Sequence, residues 1–245
     1  MNVEERIQGM SEIYFIRHGQ ASFGSRNYDQ LSPTGIRQAQ IVADYLNGLG
    51  MGFDAVYSGR MQRQQDTARP LCAVQATTGG DDDPTVLPAF DEYDAGSLLK
   101  ARTRVSRGPG AVTADALATL RRDKKTFQAY FTDTVHGWLN GDYDGVDGVE
   151  PWPVFQARVR AGVADIMTCH RNGCRVAVFT SGGPISVALQ MALELSDAKT
   201  VDMNWQIMNA SLTCIKYNPS GLILSFFNNT TPLLLARDPA LLTYR

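Results

Sequence analysis

The sequence predicts an α/β fold: a three-layer α/β/α sandwich on a mostly parallel central sheet, interrupted by a helical and loop-rich insertion. The short continuous apolar run at Ile13 to Ile16 reads as a buried strand, Phe53 to Tyr57 as a second strand, and Arg175 to Phe179 as another buried strand. Each leads through a glycine or serine turn into a stretch of helical spacing, the alternation that builds a parallel sheet. Between Ser97 and Glu150 this rhythm breaks. The expected organisation is therefore one domain over residues 1–245, with residues 97–150 inserted as a cap over the strand ends.

The run I-Y-F-I-R-H-G (13–19) is the first strand, and Arg17 and His18 fall at its carboxyl end, where open α/β sheets place their ligands. After a polar loop containing Ser22, Ser25, Asn27 and Tyr28, Ser32 and Pro33 open a helix as N-cap and first-turn residues. Ile36, Ala39, Ala43 and Leu46 form its predicted buried face, and Gly48 ends it. A second helix is expected from about Met61 to Val74, and a short strand near Thr85 to Leu87. In the insertion, a helical piece is expected near Ala111 to Phe131. A basic run there includes Arg102, Arg104 and Arg107, which read either as a solvated surface or as contacts to an anion. Pro153 to Met167 is predicted helical, with Phe155, Val159, Val163 and Ile166 on one face. Ile185 to Leu195 follows as a helix, and Ser211 to Tyr217 with Leu222 to Phe227 as an antiparallel hairpin.

Composition narrows the function classes. The 245 residues are 44% hydrophobic and 20% charged, with a net charge of −2, which argues against general nucleic-acid or membrane binding. The start M-N-V-E-E-R lacks the basic-then-apolar pattern of a signal peptide. Four scattered cysteines, with Cys169 and Cys174 flanking His170, form no zinc spacing, and the expected setting is a reducing cytoplasm.

Three further stretches carry chemistry. In Y-S-G-R-M-Q-R-Q-Q-D-T-A (57–68), a strand end enters a helix, so that Ser58, Arg60 and Arg63 can face the crevice that holds Arg17. Two arginines at a helix N-terminus suit a phosphate. F-D-E-Y-D-A-G (90–96) crowds three carboxylates, one of which could protonate a leaving group. In F-T-S-G-G-P-I (179–185), the N–H groups of Gly182 and Gly183 are candidates to point at an anion, with Ser181 beside them and Pro184 as the first helical residue. Taken singly, an Arg-His pair can also cap an ordinary strand, arginines can decorate a helix surface, and acidic turns can simply be solvated.

Taken in order, the motifs resemble the histidine phosphatase superfamily in its phosphoglycerate mutase-like branch. R-H-G-Q resembles the nucleophile motif, and L-S-P-T-G (31–35) the opening of the first helix. S-x-x-x-x-R-x-x-x-T-A (58–68) resembles the second-arginine motif, with Gly59 and Arg60 in place of its common Ser-Pro. Phe90 to Gly96 resembles the acid motif, and Gly148 to Val159 the segment G-x-E…F-x-x-R-V. The resemblance implies a phosphomonoester hydrolase. His18 would be the nucleophile, its ring held by a backbone carbonyl, and Glu92 the acid. Arg17, Arg63, Ser181 and Gly182 would bind the phosphate. It implies neither metal nor cofactor, because the arginines neutralise charge, and its partner would be a small phosphorylated substrate.

Two further positions depart from the family pattern. Ser181 stands where a second histidine is usual, and Gly24 where an asparagine is usual. Ser181 can donate a hydrogen bond but brings no positive charge. A phosphate-binding or regulatory protein with weakened turnover is the alternative this raises, and a phosphoglycerate mutase is a third.

Overall fold

A computed structural model describes residues 9–22, 29–77, 79–106 and 123–244. They fall into two compact units, Met1–Glu92 with Arg158–Arg245, and Tyr93–Ala157.

The first unit carries a six-stranded sheet. In chain order its strands are β1 (Ser11–Arg17), β2 (Ala55–Ser58), β3 (Thr85–Val86), β4 (Arg175–Thr180), β5 (Leu212–Asn218) and β6 (Gly221–Asn229), and in space they run β3-β2-β4-β1-β5-β6. The four strands from β3 to β1 are parallel, and the β5–β6 hairpin adds an antiparallel edge. The short runs predicted as strands are thus the parallel core, because both of their faces are covered.

Those faces show the period of two. Ile13 and Phe15 of β1 pack with Val176 and Val178 of β4 against one cluster, which takes Val163 and Ile166 of helix α5 (Trp152–Cys169) and Ile185, Ala188 and Leu189 of α6 (Gly182–Leu193). Ile16, Ala177 and Phe179 face the opposite cluster, which takes Val42, Ala43 and Leu46 of α1 (Pro33–Gly48) and Ala68, Leu71 and Cys72 of α2 (Gln62–Ala76). Alternate side chains therefore bury against opposite helix layers, giving three layers.

Some expected details shift. Ile36 does not join the buried face of α1: it is 60% exposed, and Val42 fills the stripe with Ala39, Ala43 and Leu46. Ser32 caps α1 as expected, its hydroxyl accepting from the Gly35 N–H at 3.1 Å. Helix α6 begins at Gly182 rather than at Pro184. Ser181 is extended (φ −121°, ψ 175°), and Pro184 is tolerated because first-turn N–H groups have no intrahelical acceptor. A short helix α7 (Asp197–Asn204) and a last turn α8 (Thr231–Leu235) complete this unit.

The second unit holds α3 (Ala95–Val105), α4 (Lys124–Leu139) and the first turns of α5. Its centre is aromatic, with Tyr93 4.9 Å and Trp152 5.0 Å from the Trp138 ring, and Phe155 stacked on Trp152. The expected helix near 111–131 is seen from Lys124, and it continues past Phe131 because Thr134, Val135 and Trp138 bury a further turn. Residues 111–122 of that expectation lie outside the described residues, as do Gly24, Ser25, Asn27, Tyr28 and Arg107. Arg102 is spent inside this unit: it donates to the Tyr130 carbonyl at 2.6 Å and lies 3.9 Å over the Tyr130 ring. Among the described residues, no helix is long and apolar enough to cross a membrane.

Candidate active site

Because β1 to β4 are parallel, their carboxyl ends share one side of the sheet, and the residues following each end converge there. His18 follows β1. Its N–H donates to the Thr180 carbonyl at the end of β4, at 2.8 Å, and its carbonyl accepts from Asn209 Nδ2 at 3.1 Å. The backbone at this point is thus held from both neighbouring strands' loops.

His18 is 5% exposed. Nδ1 lies 2.7 Å from the Gly19 carbonyl oxygen, and Arg63 Nε lies 3.2 Å from Nε2. A carbonyl only accepts and a guanidinium only donates, so the two bonds assign one tautomer. Nδ1 carries the proton, and Nε2 presents its lone pair. Burial, with Arg63 and then Arg17 nearby, holds the ring well below the ordinary histidine range, against the smaller opposing effect of the Gly19 carbonyl. The ring is a neutral base with a lone pair among fixed cations, an arrangement suited to attack on an electrophilic phosphorus.

Arg63 is the second residue of α2 and is 7% exposed. Its Nη1 also donates to Asp29 Oδ1 at 2.7 Å, while Asp29 Oδ2 accepts from the Gln62 N–H at 2.9 Å. A carboxylate of the chain itself thus sits on the arginine and on the positive end of the helix. Thr67, one turn on, ties the helix to the R-H-G turn by accepting from the Gly19 N–H at 3.0 Å and donating to the Arg63 carbonyl at 2.6 Å. Arg17 donates through Nη1 to the Ile207 carbonyl. Arg60 turns to Asp91, which accepts from its N–H and its Nε at 2.6 Å each.

The acid stretch is a held turn. A 3₁₀ turn at Pro88–Phe90 precedes it, and Arg158 Nη1 donates to the Ala89 and Asp91 carbonyls at 2.9 Å each. The Phe90 carbonyl accepts from Thr180 Oγ1 at 2.6 Å and from Gln64 Nε2 at 3.2 Å. Glu92 Oε2 accepts from the Gly183 N–H at 3.2 Å, so this N–H at the start of α6 meets a carboxylate of the chain. Ser181 is fully buried, and its hydroxyl oxygen accepts from Gln64 Nε2 at 2.9 Å.

Arg17, His18, Arg63, Glu92, Ser181 and Gly182 therefore all lie at the carboxyl ends of the parallel strands. Sequence reasoning missed Asp29, Gln64, Asn209 and the bracing role of Arg158. Gln64 had a signal: a long amide beside the second arginine, five residues after a glycine. Of the other histidines, His136 is exposed, while His170 pairs with the Tyr57 hydroxyl at 2.8 Å. Among the described residues, no group of three or more His, Cys, Asp and Glu side chains could hold a metal ion.

Comparison with known proteins bears on the family and the fold. The model of the histidine phosphatase superfamily (branch 1) matches residues 13–109 and 118–230. No curated protein sequence matches the chain. Among solved structures, a phosphoglycerate mutase from Bacillus anthracis superposes with a TM-score of 0.66 at 17% identity, covering 96% of this chain and 100% of its own. A mutant phosphoserine phosphatase from Entamoeba histolytica, in complex with phosphoserine, superposes at 0.60 with 20% identity, covering 91% and 100%. A mycobacterial glucosyl-3-phosphoglycerate phosphatase superposes at 0.62 with 20% identity, covering 90% and 100%. At these identities the likeness is one of fold.

Proposed function

The chain belongs to the histidine phosphatase superfamily, and on that premise we propose that it hydrolyses a small phosphomonoester through a phosphohistidine on His18. The observation that carries the reading is the tautomer, with an unprotonated Nε2 beside Arg63 and within the field of Arg17. The Nε2 lone pair forms a bond to phosphorus as the bond from phosphorus to the leaving oxygen breaks, and Glu92, as the carboxylic acid, gives that oxygen its proton. Water then attacks phosphorus and yields a proton to the Glu92 carboxylate. The N–P bond breaks, and its electron pair returns to Nε2. Arg17 and Arg63 stabilise the phosphoryl oxygens throughout, the larger part of catalysis in phosphoryl transfer. Residues 97–150 are proposed as a cap of this domain. The phosphoserine complex of the Entamoeba phosphatase supports a small phosphorylated substrate as the class to try first.

Rapid quench with a labelled phosphoester should trap an acid-labile, base-stable phosphoenzyme in the parent and none in His18→Ala. Equal label in both would remove the nucleophile assignment. Glu92→Gln should slow alkyl phosphates by about 10²- to 10⁴-fold and aryl phosphates, which need little protonation, far less. Equal losses would remove the acid role.

A second reading has its own observation. The chain's carboxylates already occupy anion-binding groups, Asp29 on Arg63 and Glu92 on the Gly183 N–H. A phosphate-binding or regulatory protein would keep such a site and turn over slowly. A panel of phosphomonoesters, with His18→Ala as the blank, separates the two: tight binding without turnover above the blank favours the second.

A further inference from the structure

Gln64 lies with no exposed surface in the first turn of α2, next to Arg63. Its amide reaches three places. Oε1 accepts from the Met61 N–H at 3.3 Å, and Nε2 donates to Ser181 Oγ at 2.9 Å and to the Phe90 carbonyl at 3.2 Å. Those places are the start of the helix that carries Arg63, the end of β4, and the turn that carries Glu92. Both amide hydrogens are used, so the side chain has one orientation.

Two departures from the family pattern meet at this amide. A Cβ at Gly59 would overlap Gln64 Oε1 and lie 2.7 Å from the Phe90 carbonyl oxygen, so only glycine leaves room for the buried amide. Ser181 supplies the acceptor for one of its hydrogens. Ser181 itself has no exposed surface, and among the described residues its hydroxyl makes this one bond, as an acceptor. It does not cap α6 through its side chain. A group with no exposed surface acts on a ligand through what it holds.

We propose that Gln64 is a positioning residue: Ser181 orients its amide, and the amide ties the Phe90–Glu92 turn to the helix bearing Arg63. Serine at position 181 then takes part in holding the proton donor rather than in binding the phosphate. Arg158 takes the carbonyls on either side of Phe90, those of Ala89 and Asp91. Gln64 and Thr180 are the side chains that hold the Phe90 carbonyl from the side of α2 and β4. This rests on the phosphatase reading with Glu92 as acid.

The experiment compares kcat/KM for one alkyl and one aryl phosphate, together with the inhibition constant of inorganic phosphate. Variants are Gln64→Met, which keeps the volume and removes both donors, Ser181→Ala, and the double variant. Gln64→Met should lose about two- to tenfold on the alkyl phosphate, the worth of a neutral hydrogen bond, with the aryl rate and phosphate inhibition held within about twofold. Ser181→Ala should show a smaller loss of the same kind, and none further in the Gln64→Met background. Gly59→Ala should reproduce the alkyl-selective loss by crowding the amide, which keeps the test available if Gln64→Met does not fold. Equal alkyl and aryl losses would overturn the proposal. So would weakened phosphate inhibition in Ser181→Ala, or an equal Ser181→Ala loss in both backgrounds, since either means the hydroxyl meets the ligand directly. Glu92→Gln runs alongside: without alkyl selectivity there, the acid reading itself fails. With selectivity there and none in the Gln64 variants, only the positioning role fails.

Discussion

His18 is buried as a neutral base, and this shapes stability below the ordinary histidine range. Its folded pKa is lowered, so below about pH 6.5 the unfolded chain binds a proton that the folded chain refuses. The stability is fully present above that pH. It is lost as the pH falls from there toward the lowered folded value, at up to about 1.4 kcal/mol per pH unit. Melting temperatures of the parent and His18→Asn, measured from pH 7 to 5, should therefore converge or cross as the pH falls. Parallel curves would mean the ring is not held neutral. Asp29 offers a second residue-scale test. Its carboxylate competes with any anion for Arg63, and its side chain is 40% exposed, so the competition is partly screened. Asp29→Asn should tighten inhibition by inorganic phosphate by about two- to fivefold at low salt and less at high salt. Weaker inhibition would instead make Asp29 a support that holds Arg63 in place.

The R-H-G turn and the start of α1 are matched elements. A Cβ at Gly19 would lie 2.5 Å from the Gly35 carbonyl oxygen, and one at Gly35 would overlap the carbonyl oxygen of Gln20. Neither neighbour is a flexible side-chain end, so neither can yield. Gly35→Ala should cost about 1–3 kcal/mol, as overpacking does, and also lower activity by shifting the turn that carries His18. Ser32→Ala removes the cap together with the hydroxyl's bond to Gln20 Oε1 at 2.8 Å and should cost about 1–2 kcal/mol, with less effect on activity in the folded fraction than Gly35→Ala. Urea unfolding with a rate assay separates these outcomes. A Gly35→Ala protein as stable and active as the parent would show that the backbone contact is not needed. The start of α1 was legible from Ser32 and Pro33, because capping is local. The exposure of Ile36 was not, because what covers a helix face is decided by distant chain.

Across the whole molecule the cysteines are free and divide by burial. Burial pushes the Cys72 thiol up to about 11 and that of Cys214 up to about 12, whereas Cys169 is exposed and Cys174 half-buried. At neutral pH an aromatic disulfide reagent should label two thiols promptly and the other two only on unfolding, since the thiolate is the reactive form. Prompt labelling of all four would mean the sheet layers open readily. The order of strands and helices was legible in the chain, as were the strand-end positions of Arg17, His18 and Ser181, because apolar periodicity and turn residues are short-range signals. The placing of Arg63 and Glu92 followed from motif order. Three things came only from the tertiary structure: the carboxylate of Asp29 on Arg63, the Arg158 brace, and the amide of Gln64 between Phe90 and Ser181. Each joins residues from 26 to 117 positions apart, for Gln64 lies 26 positions from Phe90 and 117 from Ser181. Hydrogen bonds over such separations exist only once the sheet has brought the strand ends together, so no local pattern in the sequence could encode them.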